Sequence, residues 1–171
     1  MTGDNLKNQS RKDAIFDDLY DFSNNVGHGR LLGIDLGTKT IGIALSDELQ
    51  MIASPLLTIK RQKLSRDVEA LEALIAKHTA VGIILGLPRH LDGREGSRAQ
   101  STRAFARNVR RTITLPIMLW DERLTTTAAE RALLEADASR SKRTKVIDQV
   151  AATLILQMVL DALVGTVERD R

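Results

Sequence analysis

The sequence predicts an α/β protein in which a mixed five-stranded sheet is flanked by helices on both faces. Three observations carry that expectation. Two apolar runs, residues 31–35 and 40–46, are joined by the tight turn Gly37-Thr38-Lys39 and read as a β-hairpin. Two later apolar runs, residues 81–86 and 116–120, alternate with amphipathic helical patterns. The chain of 171 residues is 43% hydrophobic but only 3% aromatic, so it can fill one domain-sized core, built from Val, Ile, Leu and Ala.

Each element follows in order. Residues 1–29 read as a polar N-terminal extension to a domain of residues 30–171. Within it Ile15, Phe16, Leu19, Tyr20 and Phe22 fit one short amphipathic helix, packed on the domain or offered to a partner. Leu31-Leu32-Gly33-Ile34 is a buried strand ending at Asp35. Residues 40–46 are the second strand, and Gly42 inside it implies a close backbone approach, because glycine weakens a strand that has no need of it. A third strand lies within residues 52–59, with Pro55 near its start or edge. Leu64, Val68, Leu71, Ile75 and His78 recur at spacings of three and four, the stripe of an amphipathic helix, with Ser65 as a candidate cap. Residues 81–86 are apolar throughout, as central parallel strands are, and Pro88 stops them. Residues 99–111 form a helix with Phe105, Ala106 and Val109 on its apolar stripe and arginines elsewhere. Residues 116–120 are the fifth strand, ending at Asp121-Glu122-Arg123. Residues 125–134 look helical, 136–145 read as a basic linker, and 146–163 form the last helix. The order β-β-β-α-β-α-β-α-α is the RNase H-like arrangement once crossovers are right-handed.

Composition excludes several classes. There is no cysteine, so disulfides and thiolate metal sites are ruled out. The N-terminus has no apolar signal core, and no apolar run approaches the ~20 residues of a membrane span, so a cytoplasmic protein without a membrane partner is expected. The 25 Lys and Arg against 22 Asp and Glu leave a formal charge of +3, which permits a nucleic-acid partner without requiring one.

Three carboxylates stand out by position. Asp35 ends the first strand, and Asp121 and Glu122 end the fifth, where ligands gather in open α/β sheets. Asp148 shares a helix face with Ala152, Ile155 and Val159, where a carboxylate is costly unless it is paired or binds a cation. Strand alternation puts Asp121 and Glu122 on opposite faces, so only one can face the site if the strand stays regular; Glu122 is favoured, with Asp121 as the alternative. Simpler readings exist: Asp35 as a turn residue, and Asp148 as a favourable charge at a helix N-terminus. Converging carboxylates suit Mg²⁺ or Mn²⁺, hard cations that prefer oxygen, and one or two such ions can drive phosphodiester hydrolysis. His28, His78 and His90 are scattered, which argues against zinc.

The stretch from Leu32 to Asp47, LGIDLGTKTIGIALSD, resembles the opening motif of the YqgF/RuvX family, RuvC-like relatives of the Holliday-junction resolvases. Gly86-Leu87-Pro88 with the run from Asp92 to Gly96, the run from Asp121 to Thr126, and the run from Lys145 to Ala152 match the same family in the right order. The resemblance spans about residues 30–163. It implies an RNase H-like fold, a nuclease acting at the 5′ end of precursor 16S rRNA, and catalytic roles for Asp35, Glu122 and Asp148, with Asp121 as a further candidate metal ligand. Two departures from the established resolvases matter. Those place an acid at the end of the fourth strand, which here ends in Gly86-Leu87-Pro88 with no carboxylate, so the substitute would be Asp121 or Glu122, one strand further on. They also carry a second acid three residues after the helix aspartate, where this chain has Ala151.

Basic residues near the expected site edge are candidate phosphate contacts: Lys39, Arg89, Arg94, Arg98, Arg123, Lys142, Arg143 and Lys145, with Arg140 in the same basic run. The expected partners are nucleic acid, precursor rRNA first, and the ribosome. A junction-cleaving DNase and a non-catalytic RNA-binding assembly factor are the alternative functions. An ATPase of the actin, chaperone and sugar-kinase type shares the first motif but needs two such domains, and one is present.

Overall fold

The computed structural model describes residues 14–124 and 140–169. Its framework is one mixed sheet built from β1 (Ile15–Phe16), β2 (Leu31–Leu36), β3 (Thr40–Ser46), β4 (Ala53–Lys60), β5 (Gly82–Leu87) and β6 (Ile117–Asp121). The order across the sheet is β1-β6-β5-β2-β3-β4. The β2–β3 and β3–β4 pairs are antiparallel, and the β2–β5, β5–β6 and β1–β6 pairs are parallel. The β5 strand therefore sits centrally beside β2, as its unbroken apolar run requires, and every residue of it is buried. Pro55 lies in β4, an edge strand, where a missing N–H costs no ladder bond.

Four helices are described: α1 (Leu19–Ser23), α2 (Leu64–His78), α3 (Ser97–Val109) and α4 (Arg140–Arg169). The two-residue alternation of the strands divides the core into two layers. Leu32, Ile34, Ile41, Ile43, Ile83, Leu85, Ile117 and Leu119 face α2 and α3. Leu31, Ala44, Ile84 and Met118 face α1 and α4, meeting Ala152, Ile155, Leu156, Val159 and Leu160, none more than 1% exposed.

Four sequence expectations change. The sheet has six strands rather than five, because Ile15 and Phe16 leave the expected helix and pair with Ile117 and Met118. The helix begins only after Asp18, whose side chain accepts from the Asp21 N–H at 3.0 Å. Phe22 is then buried at 0% exposure, its ring edge-on to Phe16 at 6.0 Å, so this part of the extension completes the sheet. Second, α4 starts at Arg140, so residues 140–145 are helix rather than linker, in keeping with the helix preference of Arg and Lys. Third, Val146–Thr166 is long and apolar enough by composition to cross a membrane, which the run-length reading passed over. One stripe of that helix is instead the inner layer of the core. Fourth, Ser65 caps nothing. The α2 N-cap is Lys63, without a side-chain bond, and buried Asp67 accepts from the Gln62 N–H at 3.0 Å beside Arg61 at 3.6 Å. The helix expected over 125–134 and the first part of the linker lie outside the described residues.

Candidate active site

The layer that holds α4 also holds the carboxylates. Asp35 is the fifth residue of β2, on the same face as Leu31. Across the β2–β3 ladder its partner is Gly42. A Cβ on Gly42 would stand 2.0 Å from the Asp148 carbonyl oxygen and 2.9 Å from the Asp148 Cβ. The glycine therefore lets α4 rest on the sheet at Asp148, as its place in a strand implied, and sets that residue beside Asp35. The Thr40 hydroxyl, two residues before Gly42 on the same face, donates to the Asp148 carboxylate. Asp148 lies eight positions after the first residue of α4, well past the single turn over which a helix dipole acts. A helix-terminus role no longer explains it.

Glu122 begins the short 3₁₀ turn Glu122–Leu124 that follows β6. Met118 lies in the α4 layer, so alternation carries Glu122 to the Asp35 side. Its carboxylate rests over Gly86, where an added Cβ would come within 2.2 Å of Oε1. The glycine leaves this space open, and the longer Glu122 side chain from beyond the neighbouring strand occupies it.

The charges in this layer act on one another. Burial, reinforced by the Asp148 charge and opposed by Arg98, pushes Asp35 up to about 6. Burial, with repulsion from Asp35 and relief from Arg98, pushes Glu122 up to about 7. Asp35 is thus the shared member of two acidic pairs, one with Asp148 and one with Glu122. Among the described residues, no group of three or more His, Asp or Glu is gathered closely enough to hold an ion.

The other expected residues are distributed differently. Asp121 is held below the usual carboxylate range despite the opposing effect of burial, because Arg123 binds it, at 2.6 Å, with Arg89 at 3.9 Å. Arg89 also pairs with Glu95 at 3.2 Å, and Arg94 with Asp92 at 2.6 Å. Arg89, Arg94 and Arg123 are engaged locally and would have to exchange partners to meet phosphate. Lys39 and Arg98 are exposed, and Arg98 is the cation that acts on both Asp35 and Glu122. Lys142, Arg143 and Lys145 fall on the helical turns leading to Asp148. Thr40 and the emptied space at Gly86 escaped sequence reasoning. Thr40 looked like an ordinary strand residue, and only the hairpin register puts it under α4.

The pH dependence of the metal-free protein follows from these shifts. An acid with a raised folded pKa holds its proton more tightly when folded, so stability present in acid is lost as pH rises through the folded value. For Asp35, from 3.8 to about 6, and Glu122, from 4.5 to about 7, the loss falls between roughly pH 4 and pH 7. Thermal melts in EDTA should show a higher Tm at pH 5.5 than at pH 8, at fixed ionic strength. A flat or opposite trend would mean that burial and repulsion do not hold the two acids above their ordinary values in the folded state.

The fold and its acidic end define a protein of the RNase H-like, RuvC-type class. Thermus thermophilus RuvC in complex with a Holliday junction substrate superposes with a TM-score of 0.55 at 14% identity, covering 81% of this chain and 98% of that one. The yeast mitochondrial Holliday junction resolvase does so with a TM-score of 0.50 at 14% identity, covering 88% and 87%. The family model RuvX, described as Holliday junction resolvase, matches residues 29–162, and the chain belongs to that family. A Cereibacter sphaeroides protein named "Putative pre-16S rRNA nuclease" is 58% identical over 150 residues, covering 87% of this chain and 94% of the relative. A Paracoccus denitrificans protein of the same name is 60% identical over 135 residues, covering 79% and 85%.

Proposed function

We propose that the protein is a metal-dependent nuclease that processes the 5′ end of precursor 16S rRNA in the bacterial cytoplasm, acting on the ribosome or its precursors. The observation that carries this reading is the placement of Asp35 at the end of β2, coupled to Asp148 on one side and Glu122 on the other. The names of relatives near 58% identity supply the substrate class.

The donor set fits a hard divalent cation: carboxylate oxygens whose burial, reinforced by mutual repulsion, raises two pKa values, with a single exposed arginine opposing it. Asp35 with Glu122, and Asp35 with Asp148, would hold one or two Mg²⁺ or Mn²⁺ ions. The chemistry such ions supply is activation of a water and neutralisation of charge at the phosphodiester. The protein's own groups do the rest. Thr40 fixes the orientation of the Asp148 carboxylate. Exposed Arg98 and Lys39 can receive the phosphates flanking the scissile bond, which positions the strand without reading its sequence. Asp121, neutralised by Arg123, anchors the strand end from which Glu122 projects.

The test is cleavage of a precursor carrying the 16S 5′ leader beside a four-way DNA junction, each with Mg²⁺, with Mn²⁺ and with EDTA. Cleavage of the RNA leader that EDTA stops is the expected result. Cutting of the junction alone would transfer the assignment to a resolvase. Binding of RNA without any cleavage would make the protein an assembly factor.

A further inference from the structure

Helix α3 is chemically one-sided. Residues 97–112 contain five arginines, at 98, 103, 107, 110 and 111, and no acid, whereas α2 mixes Arg66, Asp67, Glu69, Glu72 and Lys77. The arginines have separate duties. Arg98, in the first turn, acts on Asp35 and Glu122. Arg103 is bound to Glu95 at 2.7 Å and to Asp17 at 2.8 Å, which ties α3 to the N-terminal segment. Arg107, Arg110 and Arg111 are exposed, and among the described residues none of them is in an ion pair. With Thr114 they line an open hollow of about 480 Å³ at the far end of the helix.

We propose that this hollow is a second phosphate-binding site, an anchor for the backbone of an RNA strand whose scissile bond lies at the carboxylates. The inference rests on the nuclease reading and extends it. Nine positions separate Arg98 from Arg107, about 14 Å along the axis at 1.5 Å per residue and half a turn around it, so the path over a helix about 11 Å wide is about 22 Å. At about 3.4 Å per nucleotide of a stacked strand, that path corresponds to roughly six nucleotides. A strand wound across α3 would meet Arg98 at one end and the three-arginine hollow at the other, with the intervening Arg103 already neutralised. Three guanidinium groups and a hydroxyl around one concavity provide donors for phosphate oxygens and no means of telling bases apart. The ligand class is therefore the sugar-phosphate backbone, whatever its sequence. Arginines in a last helical turn also favour the helix dipole, and that effect alone would alter melting without altering binding.

The experiment measures binding of full-length protein in EDTA to fluorescein-labelled single-stranded RNAs of 16 and 5 nucleotides across a salt series. Replacing Arg107, Arg110 and Arg111 together by Ala should weaken the 16-mer about tenfold and reduce the salt slope by about 2. The 5-mer, too short to reach both ends, should change less than about twofold. Lysine at the same three positions should keep most of the slope, which separates lost charge from lost fold. Unchanged 16-mer affinity and slope would overturn the anchor, as would an equal loss for both RNAs. Loss of polyglutamate binding with RNA binding intact would assign the hollow to an acidic protein instead. Because binding is read without cleavage, a protein that never cuts RNA would still show the anchor. Conversely, a missing anchor would leave cleavage of short RNA unaffected.

Discussion

Asp35→Asn is expected to lower metal-dependent RNA cleavage by on the order of a thousandfold or more while raising the Tm of the metal-free protein at pH 8. Both effects come from one position. Asp35 faces Asp148 and Glu122 together, and burial plus the Asp148 charge lift it from 3.8 to about 6. At pH 8 the folded chain must hold it ionised against that resistance. Each pKa unit corresponds to about 1.4 kcal/mol. Allowing for Arg98 and for partial solvent contact, removing the charge should stabilise the protein by about 1–2 kcal/mol. In a chain of this size that is roughly 3–6 °C in Tm. The amide keeps the shape but loses the negative charge that a divalent cation needs, so activity falls as stability rises. Asp148→Asn should follow the same direction with a smaller gain in Tm, because its carboxylate already accepts the Thr40 hydroxyl. The gain in Tm should shrink at pH 5.5, where Asp35 is largely protonated. An amide variant that melts lower than wild type at pH 8, or that cleaves at the wild-type rate, would remove Asp35 from the site.

Gly42→Ala should be the most damaging single-methyl change in the sheet. The added carbon would stand 2.0 Å from the Asp148 carbonyl oxygen and 2.4 Å from its carbonyl carbon. Both are backbone atoms of a helix, so no rotamer change relieves the clash. The α4 helix must lift from β3, which opens the layer containing Ala152, Ile155 and Leu156. Overpacking of this kind costs typically about 1–3 kcal/mol and occasionally more, and the upper part of that range applies where backbone meets backbone. Cleavage should drop further than stability predicts, because the displaced residue is Asp148 itself. Denaturant melts and single-turnover cleavage on the folded fraction would separate the two effects. A variant with wild-type Tm and rate would mean that the helix does not rest on Gly42. Gly86→Ala offers a contrast. Its first clash is with the flexible Glu122 carboxylate at 2.2 Å, followed by Ile155 Cδ1 at 2.7 Å, so activity should suffer more than folding.

The sequence by itself determined the strand and helix order, the acids that end β2 and β6, and the odd carboxylate on an apolar helix face. These are local properties: hydrophobic period, turn chemistry and the cost of an unpaired charge all act within a few residues. Alternation put Asp121 and Glu122 on opposite faces, because a strand has only two, but left open which of them meets Asp35. Gly42 was legible as a close approach, though not what approaches it. Tertiary structure alone decided the rest. Ile15 and Phe16 form an edge strand only because β6 presents an unpaired edge, and a two-residue strand has no period to read. Arg89, Arg94 and Arg123 looked available for phosphate, yet their acids come from nearby turns whose geometry spacing does not reveal. Glu122 takes the space above Gly86 because β5 and β6 are adjacent in the sheet, which sets Gly86 beside Trp120, 34 residues away in the chain. Thr40 reaches Asp148 across 108 residues of sequence. Such contacts are set by register and by how closely a helix can lie on a sheet, and no local pattern encodes either.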